Sequence, residues 1–355
     1  MEIADKYYDK AVELLKKLIA IPSISRQEDK TAELIDRFLT SEGFSVHHEK
    51  NNIWVTSVIS NDLPTILLIS HHDTVKPSST WTLDPYFPLE KDGKIFGLGS
   101  NDAGASLVCL MMTFIYLAPK KDRAYNLIYA ATAEEEVMGT KGVKSILNDL
   151  GKIDLAIAGE PTQMQMAVAE KGLMVLDCKT DGKAGHAARN EGINAIYKAI
   201  SDILWFQDFQ FPKRSELSGK VKMSVTMINA GSQHNIIPDE CNYTVDVRTN
   251  EFYTNQQALD IIRSNVKYST IVPRSLHHNS LCISLQHPVV KRGMEIGLST
   301  YSSPTTSDQT VMRLTSMKIG PGDSARSHTA DEYIYLDEIK QGINIYIKLL
   351  KDFAF

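Results

Sequence analysis

Cysteine is scarce in this chain, and its four residues, at 109, 178, 241 and 282, share no CxxC spacing. That argues against a thiolate zinc site, a redox motif or a disulfide framework, and fits reduced thiols packed in the core of a cytoplasmic protein. An excess of one charge is also missing. Thirty-eight basic residues stand against 43 acidic ones, a net charge of −5, which gives no electrostatic reason to expect nucleic acid or an anionic membrane as partner. No apolar run reaches the roughly 20 residues that cross a bilayer. The longest, residues 103–118, reads as a helix packed on a sheet. The opening MEIADKYYDKAVELL lacks the basic-then-apolar order of a signal peptide. Neither GxGxxG, GxxxxGK[ST] nor GxSxG occurs, so nucleotide cradling and a serine elbow lack support. There is no internal repeat or low-complexity tract, and 355 residues that are 43% hydrophobic suit about two folded domains.

What the chain does contain is a dispersed set of short motifs, each with a carboxylate or imidazole suited to a metal ion. They are SHHDTVKP with His71 and Asp73, GLGSNDAG with Asp102, ATAEEEVMG with Glu134, Glu135 and Glu136, AGEPT with Glu160, GKAGHAAR with His186, and GPGDSARSHTADEY with His328. Three of them follow apolar runs that read as buried strands: 64–70 before His71, 126–133 before the glutamates, 155–159 before Glu160. Open α/β sheets gather ligands beyond the carboxyl ends of their strands. Two adjacent metals need one shared carboxylate, two further protein ligands each and a water. Two imidazoles and three carboxylates meet that demand, and imidazoles without nearby thiolates favour Zn2+, Co2+ or Mn2+ over Ca2+ or Mg2+.

The pattern changes along the chain. Residues from about 5 to 165 alternate amphipathic helices (11–20 and 31–40) with apolar strands, as in an α/β layer. From residue 171 the order is strand 173–180, helix 193–206, strand 221–228, strand 243–248, helix 256–266 and strand 268–272, the β-α-β-β-α-β order of a ferredoxin-like unit. After about 285 the first pattern resumes, with a strand at 316–319 and a closing helix at 336–353. The expected organisation is an α/β/α catalytic domain, residues 1–170 and 285–355, with residues 171–284 inserted into it.

Taken together, the motifs resemble the metal-dependent amidohydrolases of peptidase family M20, the acetylornithine deacetylase and succinyl-diaminopimelate desuccinylase group, over nearly the whole chain and in the family's order. The resemblance implies a di-zinc hydrolase fold with an inserted lid that dimerises. It implies that His71 and Glu160 hold the first metal, that Glu136 and His328 hold the second, and that Asp102 bridges them. Asp73 would orient the His71 imidazole and Glu135 would be the general base. His186 would stabilise the oxyanion, in dimeric members from the neighbouring subunit, and Asn235, Arg248 and Lys171 would hold the substrate carboxylate. Glu134 stands where the family has Asp, Lys76 is inserted before Pro77, and Asp102-Ala-Gly is shorter than the common form; none of these removes a ligand. Three consecutive glutamates admit a register one residue away for the base.

By the same resemblance, the expected substrate is an N-acetyl or N-succinyl amino acid with a basic or urea-bearing side chain, such as N-acylornithine or N-acylcitrulline, in arginine biosynthesis. Alternatives are a succinyl-diaminopimelate or N-acetyl-lysine deacylase, a small dipeptidase or aminopeptidase, and a degenerate member acting as a binding scaffold, which the complete ligand set opposes. Two Zn2+ per chain, replaceable by Co2+ or Mn2+, and a homodimer formed through the lid complete the expectation.

Overall fold

Four apolar runs, Asn126–Thr132, Thr65–His71, Leu155–Ala158 and Ser316–Lys318, lie side by side in that order as parallel strands. The first and third are buried at every position, and only Thr65 interrupts burial in the second. Parallel strands covered on both faces require such uninterrupted apolar sequence. Antiparallel strands extend the sheet on both sides: Asn52–Ser57 and His47–Glu49 beyond Asn126–Thr132, and Met166–Glu170 beyond Ser316–Lys318. The computed structural model describes residues 3–355 of the protein.

The apolar stretch at 103–118 forms the helix Ala105–Leu117, buried everywhere except Tyr116. Having no polar face, it fits the interior of a domain. It packs against the strand Thr65–His71 and the helices Ile3–Ile19 and Leu336–Leu350. The span Ser100–Leu117 is long and apolar enough by composition to cross a membrane, yet 89% of it is buried inside the protein. A small sheet of Leu89–Lys91, Lys94–Phe96 and Tyr333–Tyr335 forms beside this core. Lys94 Nζ lies 4.0 Å from the ring centroid of Tyr333 there.

Two compact units result: Met1–Val168 with Ile283–Tyr301 and Ser307–Phe355, and Ala169–Cys282 with Ser302–Thr306. Where the chain leaves and rejoins the first unit, the Ile283 N–H donates to the Val168 carbonyl at 2.9 Å. The second unit runs strand Met174–Asp181, helix Ala195–Asp208, strand Lys222–Ala230, strand Glu240–Arg248, helix Asn255–Asn265 and strand Ser269–Pro273. Its sheet is antiparallel, with Lys222–Ala230 on one edge, then Glu240–Arg248, Met174–Asp181 and Ser269–Pro273, the ferredoxin-like arrangement expected from element order. A two-stranded ribbon, Gly185–His186 with Ile236–Ile237, is an addition that alternation could not reveal in runs so short. One thiol departs from expectation. Cys109, Cys178 and Cys241 are buried, but Cys282 is exposed on the two-residue strand Leu281–Cys282 at the end of the sheet.

Candidate metal centre

Each ligand candidate of the first unit stands where a strand or turn releases it. His71 is the last residue of Thr65–His71 and is buried. The chain beyond Asn126–Thr132 turns sharply at Glu134, which takes the left-handed φ of 57°, and passes into a short helical turn, Glu135–Val137. Gly139 makes that turn possible, since a Cβ there would collide with the Glu134 side chain. Glu160 lies just past Leu155–Ala158, and Asp102 sits in the turn Ser100–Gly104 that feeds the core helix.

These side chains converge. His71 Nε2 is 3.4 Å from Asp102 Oδ1 and 4.0 Å from both Glu135 Oε2 and Glu160 Oε1. His328 Nε2 is 2.9 Å from Glu136 Oε2 and 3.7 Å from Asp102 Oδ2. The two oxygens of Asp102 therefore face different imidazoles, as a bridging carboxylate requires. Donor atoms of His71, Asp102 and Glu136 all lie within 4.8 Å of one another. Bonds of about 2.1 Å to a tetrahedral ion put two donors about 3.4 Å apart, so the spacing suits metal coordination.

Charge points the same way. Burial, with Glu160, Asp308 and Glu136 adding repulsion against the pull of His71, pushes the Glu135 carboxyl well above the usual carboxylate range. Glu160 is pushed up to about 8, by burial first and then by Asp102 and Glu136, against His71 and Lys318. The His71 imidazole is raised despite its burial, because Asp102, Asp73 and Glu135 surround it. His328 is raised to about 9, chiefly by its hydrogen bond to Glu136. Crowded buried carboxylates with too little compensating positive charge form a donor set that divalent cations neutralise.

Asp73 does more than face an imidazole. His71 Nδ1 is nearest the Asp73 carbonyl, at 3.0 Å, with Oδ1 at 3.4 Å. The carboxylate also accepts the Ser25 hydroxyl at 2.7 Å and the N–H groups of Glu135 and Glu136 at 3.1 and 3.2 Å. One buried side chain thus ties the first imidazole to the glutamate turn. His72 points elsewhere, its ring nitrogens 2.8 Å from Thr31 Oγ1 and 2.9 Å from the Asn51 carbonyl.

Sequence reasoning passed over three buried groups around this centre. Glu28 accepts the Glu134 N–H at 3.2 Å and the Asn51 amide at 2.9 Å, steadying the glutamate turn. Lys318, buried at the end of its strand, draws the Glu160 carboxyl downward. Glu332 accepts three backbone N–H groups of the Asp102 turn. The only available signals were a lysine within an apolar strand and a glutamate four residues after His328.

The other four candidates belong to the second unit. His186 is exposed on the ribbon, opposite Ile236, and its Nδ1 accepts the Ala188 N–H at 3.1 Å. Asn235 is next to it, its carbonyl accepting the Ala187 N–H at 2.9 Å. Arg248 is opposite Lys222 across the sheet, and burial together with the charges of Lys222 and Arg248 lowers the Lys171 ammonium. The Arg248 fork is engaged by Asp246, Nε to Oδ1 at 2.8 Å and Nη2 to Oδ2 at 3.1 Å. In the first unit, the Arg326 fork likewise pairs with Glu338, at 2.8 and 2.7 Å.

The model of peptidase family M20/M25/M40 matches residues 67–352. A succinyl-diaminopimelate desuccinylase of Orientia tsutsugamushi (strain Ikeda) is 27% identical over 280 residues, 73% of this chain and 72% of its own. An acetylornithine deacetylase of Buchnera aphidicola subsp. Acyrthosiphon pisum (strain Tuc7) is 24% identical over 383 residues, 97% and 98% of the two chains. Among solved structures, the YXEP protein of Bacillus subtilis, described as a dinuclear metal-binding peptidase, superposes with a TM-score of 0.73 at 16% identity, covering 98% of each chain.

Proposed function

Since this chain belongs to peptidase family M20/M25/M40, we propose that it is a two-metal amidohydrolase removing an acetyl or succinyl group from the α-amine of a basic or urea-bearing amino acid, such as N-acylornithine or N-acylcitrulline, in arginine biosynthesis. The observation that carries this reading is the Asp102 carboxylate, whose oxygens face His71 and His328 at 3.4 and 3.7 Å within a crowd of buried acids. The names of the relatives at 24–27% identity support the deacylase choice, and the peptidase likeness supports a small-peptide hydrolase as second reading.

His71, Asp102 and Glu160 would hold one ion and Asp102, Glu136 and His328 the other. Zn2+, or Co2+ or Mn2+ in its place, would polarise the amide carbonyl and lower the pKa of bound water when present. Glu135 takes the proton of the attacking water on its carboxylate and returns it to the leaving amine. Its buried position among like charges raises its proton affinity toward what that shuttle needs. Asp73 keeps the His71 ring and the backbone of Glu135 in fixed relation. His186 donates its ring N–H to the oxygen that gains charge in the transition state.

We also assign the second unit to dimerisation. On the helix Ala195–Asp208, Tyr197, Ile200 and Leu204 recur at helical spacing and are exposed, as are Met227 and Ile228 on the edge strand Lys222–Ala230. A second copy of this chain would cover both, since an isologous interface needs one self-complementary patch.

The test is a panel of N-acetyl- and N-succinyl-ornithine, -citrulline, -lysine and -diaminopimelate with dipeptides, using protein loaded with Zn2+ or Co2+. The highest kcat/KM is expected on an ornithine or citrulline derivative. A dipeptide in first place would install the peptidase reading.

The α-carboxylate of such a substrate needs an anchor, and Arg248 beside Lys171 and Lys222 supplies one. A guanidinium grips a carboxylate with paired hydrogen bonds that an ammonium cannot reproduce. Arg248→Lys is therefore expected to lower kcat/KM for N-acyl amino acids at least roughly tenfold, the lower end of the about 1.5–3 kcal/mol a charge-assisted contact is worth. A carboxylate-amidated analogue should be nearly indifferent. Equal losses on both compounds would restrict Arg248 to its pairing with Asp246.

A further inference from the structure

The bridging candidate Asp102 lies in an irregular turn, Ser100–Gly104, whose backbone is non-helical at Asp102 itself. Glu332, 2% exposed, holds that turn from behind. Its Oε2 accepts the Gly99 N–H at 3.2 Å, and its Oε1 accepts those of Asn101 and Asp102 at 2.8 and 2.9 Å. Four residues earlier is His328, facing Asp102 and Glu136. Asp331, between them, accepts the Thr82 and Leu83 N–H groups, both at 2.9 Å. One five-residue segment thus supplies a candidate ligand to one ion and a clamp on the carboxylate shared by both.

Resting on the two-metal reading above, we propose that Glu332 is a positioning residue: it coordinates nothing, but fixes the Asp102 turn so that both carboxylate oxygens stay directed at the two imidazoles. Three backbone hydrogen bonds converging on one buried side chain leave the turn little freedom. A glutamine has a single acceptor oxygen and an NH2 that cannot accept. In Glu332→Gln at least one of the three donors is left buried without a partner. Because Asp102 is shared, the damage reaches both metal positions, whereas loss of a terminal ligand such as Glu136 falls mainly on one.

The test is a Co2+ titration of chelator-treated full-length protein, followed by the visible absorption of the bound ion and by metal stoichiometry. Wild type is expected to take up two ions. Glu332→Gln is expected to bind Co2+ about 10- to 100-fold more weakly at both positions, the usual cost of losing a supporting contact behind a ligand, with an altered absorption band. Lys94→Met is the control for general weakening, because it loosens the small sheet that Tyr333 enters without touching the Asp102 turn; it should lower Tm and leave the titration unchanged. If Glu332→Gln does not accumulate as folded protein, Glu332→Asp replaces it, keeping the carboxyl group but not the reach, and weaker Co2+ binding is again expected. Wild-type affinity and absorption in the Glu332 variant would overturn the proposal, as would an equal loss in Lys94→Met. A wild type that binds no Co2+ would remove the two-metal reading and this inference with it, an outcome distinct from a wild type and variant that bind equally.

Discussion

Glu135→Gln is expected to lower kcat by at least roughly 10³-fold, within the range general acid–base catalysis supplies, while the purified protein keeps two metal ions per chain. The substitution preserves shape and removes the ability to take a proton from water. Glu136→Gln should behave differently. Its carboxylate lies 2.9 Å from His328 Nε2, so its loss should appear first as a metal content near one per chain and only through that as lost activity. Metal analysis of both proteins beside single-turnover rates separates the two roles. Exchanged phenotypes would move the base by one residue along the glutamate run. The proposed assignment makes Glu136 the ligand, since it meets His328 at 2.9 Å and lies within 4.8 Å of the donor atoms of His71 and Asp102, and leaves Glu135 as the proposed base.

Mixing two inactive proteins should restore activity. His186 belongs to the second unit and the metal candidates to the first. If each second unit completes the site of its partner in a homodimer, a heterodimer of His186→Ala and Glu135→Gln chains holds one doubly damaged site and one intact site. With free exchange half the dimers are mixed, so about a quarter of wild-type activity should return. A mixture shown by mass spectrometry to have exchanged subunits, yet still inactive, would confine His186 to its own chain.

His71, the glutamate run and Glu160 were legible because each follows a run whose apolar character has one cause. A strand such as Thr65–His71 must be apolar throughout to lie between two covering layers, and where it ends a polar residue stands out against it. The order of strands and helices in the second unit was legible for a related reason: alternation with period two or 3.6 survives in elements of five residues or more. What stayed hidden lacks such a period. The ribbon carrying His186 has strands of two residues. Glu332 and Glu28 exert their effects through backbone N–H groups more than 100 residues away, at Asp102 and Glu134, and no local pattern marks an acceptor for so distant a donor. The engagement of Arg248 with Asp246 was hidden differently, since alternate residues of a strand share a face but nothing in the sequence says that they pair.

The hydrogen bond between Ile283 and Val168 closes the first unit at the place where the second departs and returns. Such a junction makes the intervening segment a cassette. The strands that lead to His71, Glu136 and Glu160 keep their neighbours whichever sequence occupies residues 169–282, apart from the short crossing at Ser302–Thr306. If, as proposed, the cassette recognises the substrate and the first unit holds the metals, a chimera carrying residues 169–282 of a relative with another specificity is expected to take on that relative's preference with its metal content unchanged.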